Sequence, residues 1–326
     1  MLLGGTVAAA LAAILILSGH GGRPSAIEDR GHLAGEPAQG LWIVDTGTAR
    51  VVHTIALPAG VYGSSEGGGF AWVADREGVS QLDQMTGRVL RTFPVMGGAL
   101  AVVYAGGYLW VTPRTQSTPT TNAVVAIDLQ SGVSQVIVVP GSYDTIFAGD
   151  GYAWVPGKRH IDRLDPATGK INGEIPFGLS QPNLFCAMAF TPHAVWIASA
   201  ARGRLVRVDP NTLRIVGHAR IRDTPEDDYC VTAGAGKIWV GADQGYGIYS
   251  FDPHTLRPTP VTLPVFHMSW MAGSRDALWF TTAKDPATLQ AVTDAGKPVA
   301  KVQLPFAPLG FNVTGKLLYA GFARQA

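Results

Sequence analysis

The sequence predicts an all-β fold, a seven-bladed β-propeller, on three observations. Tryptophans recur at spacings of 38, 44, 42, 43 and 40 residues from Trp72 to Trp279. An Asp-centred tight turn recurs in register with them. The composition suits many short buried strands: 15% charged and 47% hydrophobic, with 40 glycines and 22 prolines in 326 residues. An ordinary soluble domain carries roughly 25% charged residues and ~7% glycine. Such hydrophobicity excludes a disordered chain. The net charge of +1 gives no overall field for nucleic acid or an anionic membrane.

The first 22 residues contain no Asp, Glu, Lys or Arg, and Met1 to Leu17 is almost entirely apolar. That stretch suits an apolar helix acting as a signal peptide or N-terminal membrane anchor. The basic residues that usually precede a signal core are missing. Leu17-Ser18-Gly19 begins like a lipidation motif, but His20 stands where the modified cysteine belongs. Residues 23–40 are polar with Gly and Pro, the composition of a linker. The expectation is an exported protein, secreted or tethered through residues 1–22, with its propeller over 41–326.

Within the propeller each unit reads as an apolar strand, a Gly-rich turn, a Trp strand, a loop, a strand ending in Asp, a tight turn and a last strand. Examples are Ala153-Trp154-Val155 followed by Asp165-Pro166-Ala167-Thr168-Gly169. Local chemistry explains the turn. Pro presets φ, Asp or Thr bonds nearby backbone NH groups, and Gly accepts positive φ. Four short strands per unit make a propeller blade. The chain begins with a third-and-fourth strand pair (Leu41 to Asp45, Val51 to Leu57) and ends with a first-and-second pair (Leu309 to Phe322). The two pairs complete one blade, a two-plus-two closure that hides two sheet edges. Leu317-Leu318-Tyr319-Ala320 is the seventh, degenerate copy of the Trp strand.

Gly151-Tyr152-Ala153-Trp154-Val155 with Ile161-Asp162-Arg163-Leu164-Asp165-Pro166-Ala167-Thr168-Gly169 resembles the blades of the YVTN-repeat and streptogramin (virginiamycin B) lyase-like propellers. The resemblance implies the fold over residues 41–326. In its lyases it implies an acid just after the Trp strand, a nearby histidine and Mg2+. Laid on this chain, the pattern gives only one acid, Asp75; the closest match in letters, Trp279-Phe280-Thr281, ends in Thr282. The resemblance offers His267 with Asp75 as a catalytic pair, for a lyase or hydrolase using a divalent cation; the bland alternative for His267 is a hydrogen-bonded strand-end histidine. The residues themselves favour the other reading, a non-catalytic binding propeller without a cofactor. There is no Gly-x-Ser-x-Gly elbow, phosphate loop or Cys/His metal spacing.

A ligand is expected on the face where the innermost strands begin and the second-to-third-strand loops lie. The candidates there are Tyr62, Arg76, Tyr143, Asp144, Arg159, His160, Asn183, Arg202, Asp228 and Tyr229. Bases and tyrosines suit a polar small molecule or a protein partner bound through charge-assisted hydrogen bonds. The opposite face, with its Asp and Gly turns, is discounted. Cys186 and Cys230 stand ten and nine residues before successive Trps, on neighbouring inner strands. They read either as a disulfide of an oxidising compartment or as two small buried hydrophobes. The protein is expected to be monomeric, with no metal site.

Overall fold

The computed structural model describes residues 37–57, 61–84, 86–114, 122–139, 145–157, 159–177, 186–199, 203–221, 229–242 and 246–323. The segment 1–22 and most of the linker lie outside them. Among the described residues no helix is long and apolar enough to cross a membrane. Among the described residues twenty-eight strands form seven four-stranded antiparallel sheets.

We number the sheets as blades. Blade 1 spans 63–94, blade 2 99–139, blade 3 147–175, blade 4 188–220, blade 5 229–266 and blade 6 268–303. Blade 7 is built from both ends of the chain. Its order from the outside is Arg50–Ala56, Gln39–Asp45, Leu317–Ala323 and Gly310–Thr314. Each inner strand touches the next, and Gly310–Thr314 returns to Gly63–Gly67 of blade 1, so the ring is closed.

The tryptophans explain why the unit repeats. Those of blades 1 to 6 are at most 1% exposed, so each contributes roughly 4–6 kcal/mol of apolar burial. An indole buried this way must place its N–H. Trp72, Trp110, Trp154 and Trp239 donate to the carbonyl five residues back, at the end of their own inner strand, over 2.8–3.2 Å. Trp196 donates instead to Thr191 Oγ1. The buried core divides into seven clusters, one in each gap between neighbouring blades. Both faces of most inner strands are therefore covered, which is why so little charge is present.

The Asp turns are built as their residues require. Asp45 accepts from Thr48 N and Oγ1, Asp83 from Thr86 N and Oγ1, and Asp252 from His254 N, Thr255 N and Thr255 Oγ1. These donors hold the carboxyls of Asp45 and Asp252 below the usual range, as backbone donors do for Asp128 and Asp209. In the loose seventh turn Thr293, not Asp294, takes the backbone donors of Ala295 and Lys297. Glycine is needed where a neighbouring blade leans in. A Cβ at Gly67 or Gly149 would collide with the ring of Tyr104 or Phe190 on the next blade.

Candidate functional site

The face where the inner strands begin carries a cluster between blades 1 and 2. Tyr62 lies just before the inner strand of blade 1 and is fixed by its N–H to the Ala74 carbonyl (3.0 Å). Arg76 follows the second strand of the same blade, and its Nε donates to Tyr62 Oη over 3.1 Å. Arg114 follows the second strand of blade 2, its N–H tied to Gly98 O, and its guanidinium stands 6.0 Å from the Tyr62 ring centre. Both arginines are exposed and Tyr62 is half-buried. The tyrosine hydroxyl holds Arg76 still more firmly in its charged form. Both guanidiniums are planar, charged donors of the kind that carboxylate and phosphate oxygens accept from in pairs.

Asp75, beside Arg76, has a different job. It is 2% exposed, and its carboxylate accepts from Glu77 N, Gly78 N and Ser80 Oγ at 2.8–3.1 Å. Its carbonyl takes the Ala99 N–H, joining blade 1 to blade 2. These three donors come from the turn after Asp75 and the start of the strand Gly78–Asp83. His267 lies between the last strand of blade 5 and the first of blade 6, with φ of 50° and its carbonyl accepting from Ala283 N. Blade 7 stands between its blade and that of Asp75.

Of the other expected residues, Arg159 is exposed. Tyr229 is not on the rim. It is 1% exposed, packed among Trp196, Ile221 and Val240 between blades 4 and 5, because its strand turns that side chain into the interblade core. Tyr143, Asp144, Asn183, Arg202 and Asp228 lie outside the described residues. Cys186 and Cys230 are joined by a disulfide with a Cα–Cα distance of 4.6 Å. It braces the approaches to the inner strands of blades 4 and 5, where Val231 N also donates to Cys186 O.

His160 is held by Asp162, Nε2 to Oδ2 at 3.3 Å, and Glu174 joins them. The nearest ligating atoms of the three lie within 4.8 Å of one another. Burial pushes the Asp162 carboxyl up, the His160 charge opposes that, and the Glu174 charge adds to it. His160 is among the residues the sequence points to; Asp162 and Glu174 are brought to it by the fold. The signal was there in principle: residues i and i+2 of a strand share a face, and Glu174 is directly opposite Asp162 across the hairpin.

The other end of the channel holds a cavity of about 380 Å³. Ser65, Glu66, Tyr104, Asn312 and Thr314 are among its lining. Glu66 Oε2 and, on the neighbouring blade 7, Tyr319 Oη are buried without a hydrogen-bond partner among the described residues. Burial, and secondarily the Glu66 charge, push the Tyr319 hydroxyl well above its ordinary range. In the sequence this face reads as turn punctuation; the inner strands' ends nonetheless bring polar groups to the channel there.

The ring is a seven-bladed β-propeller. No protein-family model matches the chain, and no curated protein is significantly similar to it. Among solved structures it is similar to BamB from Moraxella catarrhalis (14% identity, TM-score 0.59, covering 87% of this chain and 92% of that one). It is also similar to the hydrazine synthase of Kuenenia stuttgartiensis (15%, TM-score 0.62, 82% and 94%). A third is the computationally designed protein Ika8 (11%, TM-score 0.55, 82% and 95%). At these identities the likeness is one of fold.

Proposed function

We propose that this protein is a non-catalytic binding propeller that captures an anionic group, on a small molecule or a protein partner, at the face where its inner strands begin. The convergence of Arg76 and Arg114 on Tyr62 carries this reading. Those groups are rigidly based, since each arginine's backbone or its neighbour's is tied into the ladder between blades 1 and 2. The engagement of Asp75 in its own turn weighs against its use as an acid or base. The disulfide supports a place outside the cytoplasm, as does the apolar N-terminal segment. The Trp-and-Asp blade repeat suits the broad YVTN-type group of propellers.

Thermal unfolding of the full chain with citrate and with inorganic phosphate tests the site. A ligand that binds only the folded ring stabilises it by mass action, about 2.7 kcal/mol at a hundred times its Kd. One of the two anions is expected to raise the melting temperature of the wild type and not that of an Arg76→Gln/Arg114→Gln variant. No shift with either anion, or an equal shift in the variant, refutes the reading.

A further inference from the structure

We propose that His160, Asp162 and Glu174 form a binding site for one divalent transition-metal ion on blade 3, separate from the Tyr62 cluster. His160 and Asp162 are two residues apart where the chain enters the third strand, Ile161–Asp165, so their side chains leave on the same side. Asp162 is paired with Glu174 of the outer strand Lys170–Ile175 and with Val155 of the second strand. Residues directly opposite in an antiparallel ladder share a face. Val155 packs into the gap against blade 2 with Val124 and Val139, so the three ligating groups gather at the margin of that gap.

Distances and charge both fit an ion. Two ligands about 2.0–2.1 Å from a tetrahedral ion stand roughly 3.4 Å apart; His160 Nε2 and Asp162 Oδ2 are 3.3 Å apart. Glu174, exposed and free to change rotamer, reaches within 4.8 Å of both and needs only a small side-chain movement to complete the third vertex. Two carboxylates directly opposite on a sheet repel, and one of these is 5% exposed, where solvent screens little. A cation between them removes that cost. One imidazole with two carboxylates suits zinc and its first-row neighbours better than calcium or magnesium, which prefer all-oxygen shells. Three protein ligands leave a position for water or a donor from a partner.

The test is calorimetric titration of the metal-free full chain with zinc chloride, repeated on His160→Gln and Glu174→Gln. Neither residue is fully buried, so both variants are expected to fold, with metal-free melting temperatures close to wild type. The wild type is expected to bind one equivalent and to melt higher with it. Each variant is expected to bind more weakly by more than the ~10–100-fold typical of losing an outer-shell partner. Absence of zinc binding to the wild type overturns the proposal. So does zinc binding that both variants retain, which would place the ion on other surface histidines.

Discussion

At the scale of single residues, six tryptophans occupy equivalent places, yet they are not equivalent in energy. Trp72 Nε1 donates to Gly67 O at 3.0 Å, whereas Trp279 Nε1 has no partner among the described residues. The reason is local. The carbonyl five residues before Trp279 belongs to Ser274, which lies past the end of the inner strand Met268–Gly273 and accepts the Ala235 N–H from blade 5. Replacement by Phe removes similar volume at both sites. At Trp72 it also removes a made hydrogen bond, while at Trp279 it removes a buried donor that was unsatisfied. Trp279→Phe is therefore expected to destabilise the protein less than Trp72→Phe, by about 1 kcal/mol. Denaturant midpoints at unchanged m-value measure this; equal losses, or the reverse order, would show that indole donors do not set the cost.

At the scale of elements, the blade was legible in the sequence because everything that defines it is local. Period, Trp position, Gly turns and Asp hairpins all fall within one unit of chain, and the structure repeats them in register. The site was less legible because it depends on what lies across a gap. Arg114 meets Tyr62 only because blades 1 and 2 are adjacent at that end, and Glu174 meets His160 only through a particular hairpin register. Tyr229 shows the same limit from the other side: the blades packed on both faces of its inner strand decided its burial, and alternation only chose which gap it fills, which a loop-side position did not reveal.

The disulfide is the one covalent link between elements, and it spans 44 residues from the approach to blade 4 to the inner strand of blade 5. Closing a loop of that length lowers the entropy of the unfolded chain, a gain of about 2–4 kcal/mol. Reductant is expected to lower the stability of the wild type by that amount and to leave a Cys186→Ala/Cys230→Ala variant unchanged. An equal response of both proteins to reductant, or none in the wild type, sinks the idea that this brace stabilises the ring.

At the scale of the whole molecule, the ring is held shut by noncovalent pairing of its two ends. Gln39–Asp45 pairs along its full length with Leu317–Ala323, Gln39 opposite Ala323. Trp42 stacks on Phe322 at 4.0 Å between ring centres, and Phe306 meets both edge-on. The seam is thus a continuous ladder with an aromatic plug, and the end of one strand lies beside the start of the other. A hairpin loop of two to five residues is enough to join such ends. The new termini can be placed between Met96 and Gly97, in an exposed turn between blades 1 and 2 where Met96 is 95% exposed. A chain permuted in this way, its old ends joined from Ala323 to Gln39, keeps every ladder pair and makes all seven blades continuous. It is expected to fold with an unchanged far-UV spectrum and a single unfolding transition. Deleting residues 39–56 instead leaves blade 7 with two strands and a bare edge, and is expected to abolish cooperative unfolding. If the deletion melts like the wild type, the ring is stable without its seam; if the permutant does not fold, the order in which the two ends arrive matters more than the contacts they make.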